Sequence, residues 1–173
     1  MTFLPLFGIA LSLLLAVAPA AQTKPPVTTI YLVRHAEKDL TPNLADPPLT
    51  PAGEARALAL RQKMLSRHPT ALLTTDTKRT RATLAPLAEA TKLTPQVYDA
   101  KQPAALAERI RREYSGQVVV VVGHSNTLLP LISALGATAP MAEIKDDEFS
   151  YLFEVRQPLN GPARLKVLKY GAR

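Results

Sequence analysis

Apolar residues recur along the chain with two different periods. Residues 27–33 (VTTIYLV) are rich in β-branched side chains and predict a buried strand. A polar stretch with several prolines follows over residues 39–49. Thr50 then stands where a helix N-cap belongs, with Pro51 at the first helical position. The helix is expected to run to about residue 67, with Ala55, Leu58, Ala59 and Leu65 on its apolar face. Residues 71–74 predict a short strand, 78–91 a helix that Pro86 bends, 96–98 a short strand and 103–114 a helix. Residues 118–122 are five valines in a row, as in a central strand covered on both faces. A helix over 127–135 and strands over 149–155 and 164–170 complete the pattern, the last two joined by Pro158-Leu159-Asn160-Gly161-Pro162.

Strand and helix alternate four times. That order predicts an α/β domain with a mostly parallel sheet and helices on both faces. The last two strands have no helix between them, so they are expected to pair as antiparallel edge strands. The chain's 173 residues suffice for one such domain, over residues 27–173.

The first twenty residues follow another rule. Residues 3–17 are apolar except for Ser12, and Ala18-Pro19-Ala20 offers the small residues of a signal-peptidase site. Residues 1–20 are therefore read as a signal peptide, cleaved after Ala20, for a periplasmic or secreted protein, with an uncleaved membrane anchor as the alternative. The apolar run is shorter than the roughly 20 residues that span a bilayer, so no stable membrane association is expected once the leader is removed. The chain has no Cys, which excludes disulfides, thiol chemistry and lipoprotein attachment at this junction.

The formal net charge is +7, with Lys and Arg spread along the chain. No basic helix with interleaved aromatics and no zinc-finger or RNA-binding signature is present, so nucleic acid is not an expected partner. An anionic substrate is the simplest reading of the surplus.

In open α/β sheets ligands bind beyond the carboxyl ends of the strands. At those ends stand Arg34-His35-Ala36-Glu37, then Thr75-Asp76-Thr77-Lys78-Arg79, then Asp99, then His124-Ser125-Asn126-Thr127. Two of the three histidines thus converge with two arginines. Guanidinium forks match phosphate oxygens, and a neutral His beside them is a competent nucleophile. Because the donors are already charged, no metal and no cofactor are expected. His35 and Glu37 lack the further ligands a metal site needs. His68, at a helix end, reads as a surface residue, as do Lys38, Arg81 and the run Arg109-Ile110-Arg111-Arg112. Gly123-His124-Ser125-Asn126-Thr127 is not a serine-hydrolase elbow: Thr127 stands where Gly is needed and no His follows Ser125.

Four segments carry a resemblance. Leu32-Val33-Arg34-His35-Ala36-Glu37 resembles the Arg-His-Gly signature of the histidine phosphatase superfamily, with Ala36 in place of Gly. Leu49-Thr50-Pro51-Ala52-Gly53 resembles its Leu-Thr-x-x-Gly helix start, and Thr75 to Thr83 its Arg-Ala-x-x-Thr segment, with Arg79 as the second arginine. Val122-Gly123-His124-Ser125-Asn126-Thr127 resembles its second-histidine segment. The resemblance implies a phosphoglycerate mutase-like fold and hydrolysis of a phosphomonoester or phosphoramidate through a phosphohistidine on His35. It implies that Arg34, Arg79 and His124 hold the phosphoryl oxygens, that Asn126 touches the phosphate or the rest of the substrate, and that Glu37 orients Arg34 or His35. Asp99 is the expected general acid. The substrate would be a phosphorylated small molecule or a phosphoprotein. A non-catalytic module binding a phosphorylated ligand is the alternative. Loss of the nucleophile or an arginine would mark it, and all four residues are present.

Overall fold

The computed structural model describes residues 26–171, so the expected leader over 1–20 lies outside the described residues. In chain order the elements are β1 (Val27–Arg34), α1 (Pro51–Leu65), β2 (Ala71–Thr74), α2 (Lys78–Thr91), β3 (Gln96–Val97), α3 (Pro103–Glu113), β4 (Val118–Gly123), α4 (Ser125–Ala134), β5 (Tyr151–Pro158) and β6 (Arg164–Lys169). One six-stranded sheet runs in the order β3-β2-β4-β1-β5-β6. The first four of these are mutually parallel, β5 runs antiparallel beside β1, and β6 runs antiparallel to β5 at the edge.

The central strands explain their own composition. In β4, Val119 and Val121 face a core shared with Leu106, Ile110, Leu128 and Ile132 of α3 and α4. Val120 and Val122 face the other core, with Leu60, Met64, Leu84 and Leu87 of α1 and α2. Ile30 and Leu32 of β1 join the first core, and Tyr31 and Val33 the second. A strand buried on both faces has no polar position to alternate with.

Helix α1 departs from the expected face and ends at Leu65. Its buried residues are Gly53, Arg56, Ala57, Leu60 and Met64, whereas Leu58 and Leu65 are 48% and 37% exposed. The helix is apolar around much of its circumference, so spacing alone allowed two stripes. Close approach decides between them. A Cβ on Gly53 would lie 2.2 Å from the Glu37 carbonyl oxygen, so only glycine lets this face seat against the loop after β1. Gly53→Ala is expected to cost about 3 kcal/mol, because the obstacle is backbone and cannot rotate away. Thermal unfolding of the variant tests this; an unchanged midpoint would refute the packing argument.

Two element boundaries place residues near the sheet's carboxyl edge. Helix α4 starts at Ser125, with His124 as its N-cap, so Asn126 lies in its first turn. Strand β5 starts at Tyr151, which leaves Phe149 in the preceding loop. Among the described residues no helix is long and apolar enough to cross a membrane.

Candidate functional site

The register of three adjacent strands assembles the site. Arg34 of β1 lies level with Gly123 of β4, and Val122 of β4 with Thr74 of β2. The residues after these positions therefore emerge side by side. The His35 N–H donates to the Gly123 carbonyl at 2.9 Å, which ties the first loop to the third. The Ala36 N–H donates to Thr83 Oγ1 at 2.9 Å, and that hydroxyl donates to the Arg79 carbonyl at 2.7 Å. This ties the first loop to α2. The result is a cleft of about 1110 Å³ lined by Arg34, His35, Arg79 and His124 among others.

His35 is 4% exposed. Its Nδ1 lies 2.8 Å from the Ala36 carbonyl oxygen. A carbonyl only accepts, so Nδ1 carries the proton and Nε2 of the neutral ring keeps its lone pair. Burial lowers the His35 pKa to about 3; the Ala36 hydrogen bond opposes this, and the charges of Arg34 and Arg79 reinforce it. The His124 ring sits with its centroid 5.4 Å away, inclined by 63°. Burial, with Arg79, Arg34 and Lys38, lowers its pKa to about 4. His124 Nε2 is 2.9 Å from Thr75 Oγ1, which in turn reaches Thr80 Oγ1 at 3.0 Å. A chain of hydroxyls thus orients the second imidazole.

Both histidines are neutral near pH 7, and this sets a sign for stability. Their folded pKa values, about 3 and about 4, lie below the unfolded value of 6.5. As pH falls below about 6.5 the unfolded chain takes up protons first, so stability is lost progressively down to about pH 3. The expected slope is about 1.4 kcal/mol per pH unit for each histidine. Replacing both with Gln should flatten the fall of the melting temperature between pH 6.5 and 4; an unchanged slope would contradict neutral burial.

The two arginines are held from behind by different elements. Arg34 Nη1 donates to the carbonyls of Lys145 and Asp146 at 2.8 and 3.0 Å. Its guanidinium stacks 4.3 Å from the centroid of Phe149, and Asp146, itself fully exposed, lies 3.5 Å away. Arg79 meets Asp46 at 3.5 Å, and the Asp46 carboxylate also accepts the Lys78 N–H at the start of α2. The Nε of each arginine is buried with no hydrogen-bond partner. Each guanidinium therefore retains donor capacity beyond its protein contacts.

Glu37 lines the cleft but does not orient Arg34 or His35 as expected. Arg56 takes both of its oxygens, with Nε to Oε1 and Oε2 at 2.8 and 2.9 Å and Nη2 to Oε1 at 2.7 Å. Burial pushes the Glu37 carboxyl up, and the Arg56 hydrogen bonds outweigh it and hold the pKa below the usual value. Glu37 is thus an ionised strut. Asn126 lines the cleft from α4. Asp99 is not brought there. It lines a separate depression with Tyr98 and Gln102, and its carboxylate accepts the Lys101 N–H and the Gln102 side-chain amide at 2.9 and 3.1 Å. Those bonds hold Asp99 as an anion capping the turn before α3. His68 ends the turn after α1 in a left-handed conformation, and Arg81 pairs with Asp76 at the surface. Among the described residues no group of three or more His, Asp or Glu side chains is placed to hold a metal ion.

The model of the histidine phosphatase superfamily (branch 1) matches residues 30–102. That span includes Arg34, His35 and Arg79. No curated protein sequence matches the chain. Among solved structures, a mycobacterial glucosyl-3-phosphoglycerate phosphatase superposes with a TM-score of 0.67 at 15% identity, over 84% of this chain and 100% of that one. The protein histidine phosphatase SixA, complexed with tungstate, gives 0.65 at 18% identity, over 82% and 96%. A phosphohistidine phosphatase SixA from Agrobacterium tumefaciens, so described provisionally, gives 0.61 at 21% identity, over 84% and 98%. At these identities the likeness is one of fold.

Proposed function

From a chain that matches the histidine phosphatase superfamily over residues 30–102 and shares the fold of such phosphatases, we propose that it is a metal-independent phosphatase working through a covalent phosphohistidine on His35. The observation that carries the reading is the state of that residue. It is buried and neutral, its Nδ1 proton is engaged by Ala36, and its Nε2 is unbonded beside Arg34, Arg79 and His124. In the proposed first step the Nε2 lone pair forms a bond to phosphorus and the bond to the leaving group breaks. The imidazole becomes cationic as it does so, and the Ala36 carbonyl stabilises that charge through Nδ1–H. Arg34, Arg79 and His124 surround the transferring oxygens, whose charge is the main thing such a site must neutralise. In the second step water attacks phosphorus, the P–N bond breaks and neutral His35 returns.

The carboxylates near the cleft bear on the leaving group. An alkoxide needs a proton from an acid of suitable pKa. Glu37 is held ionised by Arg56, and Asp99 lies outside the cleft. Asp146 and Asp147 are exposed carboxylates of the cleft wall. The proposal therefore favours groups that depart without a strong acid: phosphoramidates, phosphohistidine among them, anhydrides and aryl phosphates. It further takes the mature protein to be exported, on the strength of the apolar residues 3–17 and the Ala18-Pro19-Ala20 junction. N-terminal sequencing of the protein recovered from a producing cell's envelope tests that point, and an intact Met1 in the cytoplasm would oppose it.

The activity itself is tested with an aryl phosphate, with and without chelator. Turnover that survives chelator is expected. Turnover that requires added divalent metal would refute the mechanism.

A further inference from the structure

The end of the sheet opposite the cleft carries a surface that the proposed chemistry does not use. Residues paired directly across adjacent strands point to the same face. The register places Arg156 of β5 between Thr29 of β1 and Arg164 of β6, and Glu154 between Tyr31 and Lys166. Arg67, just beyond α1, adds a guanidinium 6.0 Å from the centroid of the Tyr31 ring. Arg67, Arg156, Arg164 and Lys166 are all exposed, and among the described residues none of them takes part in an ion pair. Glu154 supplies a carboxylate to the same face. Arg156 and Arg164 stand directly opposite one another, an arrangement that destabilises a sheet unless an anion lies near both.

An apolar tip lies beside these cations. Leu159, in the turn joining β5 to β6, is 63% exposed, and its N–H donates to the Pro26 carbonyl at 3.2 Å. The turn therefore sits where the chain enters β1. The apolar residues 3–17 are separated from that point by residues 18–26, which reach at most about 30 Å when fully extended. Cations around an exposed apolar side chain match a bilayer with anionic headgroups, because the charges meet the lipid phosphates and the apolar group enters the acyl boundary. An acidic protein would match the charges alone.

We propose that this end of the domain docks on an anionic lipid bilayer, with Arg67, Arg156, Arg164 and Lys166 against the headgroups and Leu159 inserted between them. The cleft, at the carboxyl end of β1, then faces away from the lipid. Such docking is peripheral, needs no spanning segment and is independent of the phosphatase reading.

The mature protein is sedimented with vesicles of equimolar phosphatidylglycerol and phosphatidylcholine, and with vesicles of phosphatidylcholine alone. Binding is expected to the first and not to the second. It should be lost in about 1 M salt, where charges are screened within roughly 3 Å. Arg156→Gln/Arg164→Gln should weaken binding about tenfold or more, since each cation at an anionic surface contributes roughly fivefold. Its melting temperature should stay the same or rise, which separates lost docking from lost folding. The chain has no Trp, so Leu159→Trp and Leu40→Trp each carry a single reporter. Leu40 is 80% exposed and lines the cleft. Anionic vesicles should shift the emission of Leu159→Trp to the blue and leave that of Leu40→Trp unchanged. No binding to anionic vesicles, undiminished binding by the double arginine variant, or a blue shift in Leu40→Trp alone would overturn the proposal. Binding of polyglutamate without binding of vesicles would also overturn it and make the face a site for an acidic protein.

Discussion

His35→Ala is expected to lower kcat for an aryl phosphate by a thousandfold or more, the scale on which removing a covalent nucleophile acts. The size of the effect reflects the lack of a substitute. His124 is the other imidazole of the cleft, but its Nε2 is engaged by Thr75, and its ring centroid is displaced by 5.4 Å from that of His35. Glu37, which lines the cleft, is tied to Arg56 and so is a poor base for a water admitted into the space left by the imidazole. The variant should fold normally. His35 makes its tertiary hydrogen bond through its backbone N–H to Gly123, which alanine retains. Phosphate binding should also persist, because the arginines remain. A variant that keeps wild-type turnover would mean that the phosphoryl group never rests on His35.

Arg79→Ala is expected to reduce kcat/KM by about a hundred- to a thousandfold, the cost of removing one preorganised donor from a developing anion. Lysine at this position should recover only part of the loss. It supplies a point charge, whereas the guanidinium supplies a planar fork matched to phosphoryl oxygens. Stability should change little, because the ion pair of Arg79 is a 3.5 Å contact to a half-buried Asp46, and such pairs contribute about 1 kcal/mol or less. Steady-state kinetics with matched thermal melts separate the two effects. A large drop in melting temperature with unchanged kcat/KM would make Arg79 a structural residue.

The four central residues of the cleft are legible in the sequence because Arg34, His35 and His124 stand at or just beyond a strand end and Arg79 in the first turn of the helix that follows β2. With strands at residues 27–33, 71–74 and 118–122, the sheet's own geometry brings Arg34, His35, Arg79 and His124 together. The residues that hold them are harder to read. Arg56 lies on a helix apolar around much of its surface, and its partnership with Glu37 is a tertiary contact that no spacing announces. Phe149 and Asp146 position Arg34 from a loop without periodicity, where neither helix nor strand rules apply. Thr83 stands within a recognised segment, but its double hydrogen bond between Ala36 and Arg79 depends on how α2 docks. Asp99 shows the limit of placement by position. It lies just past β3 as expected, yet local turn hydrogen bonds direct its carboxylate away from the cleft.

The central claim is a phosphoryl group on His35, and trapping it is the most direct test. The mature protein is mixed with an aryl phosphate or a phosphoramidate, quenched in base within the first turnovers, digested and analysed by mass spectrometry. The peptide containing His35 is expected to gain the mass of one phosphoryl group, in an adduct that is lost in acid and absent from His35→Ala. Rapid hydrolysis with no adduct on any histidine, or an adduct on His124 instead, would contradict the claim.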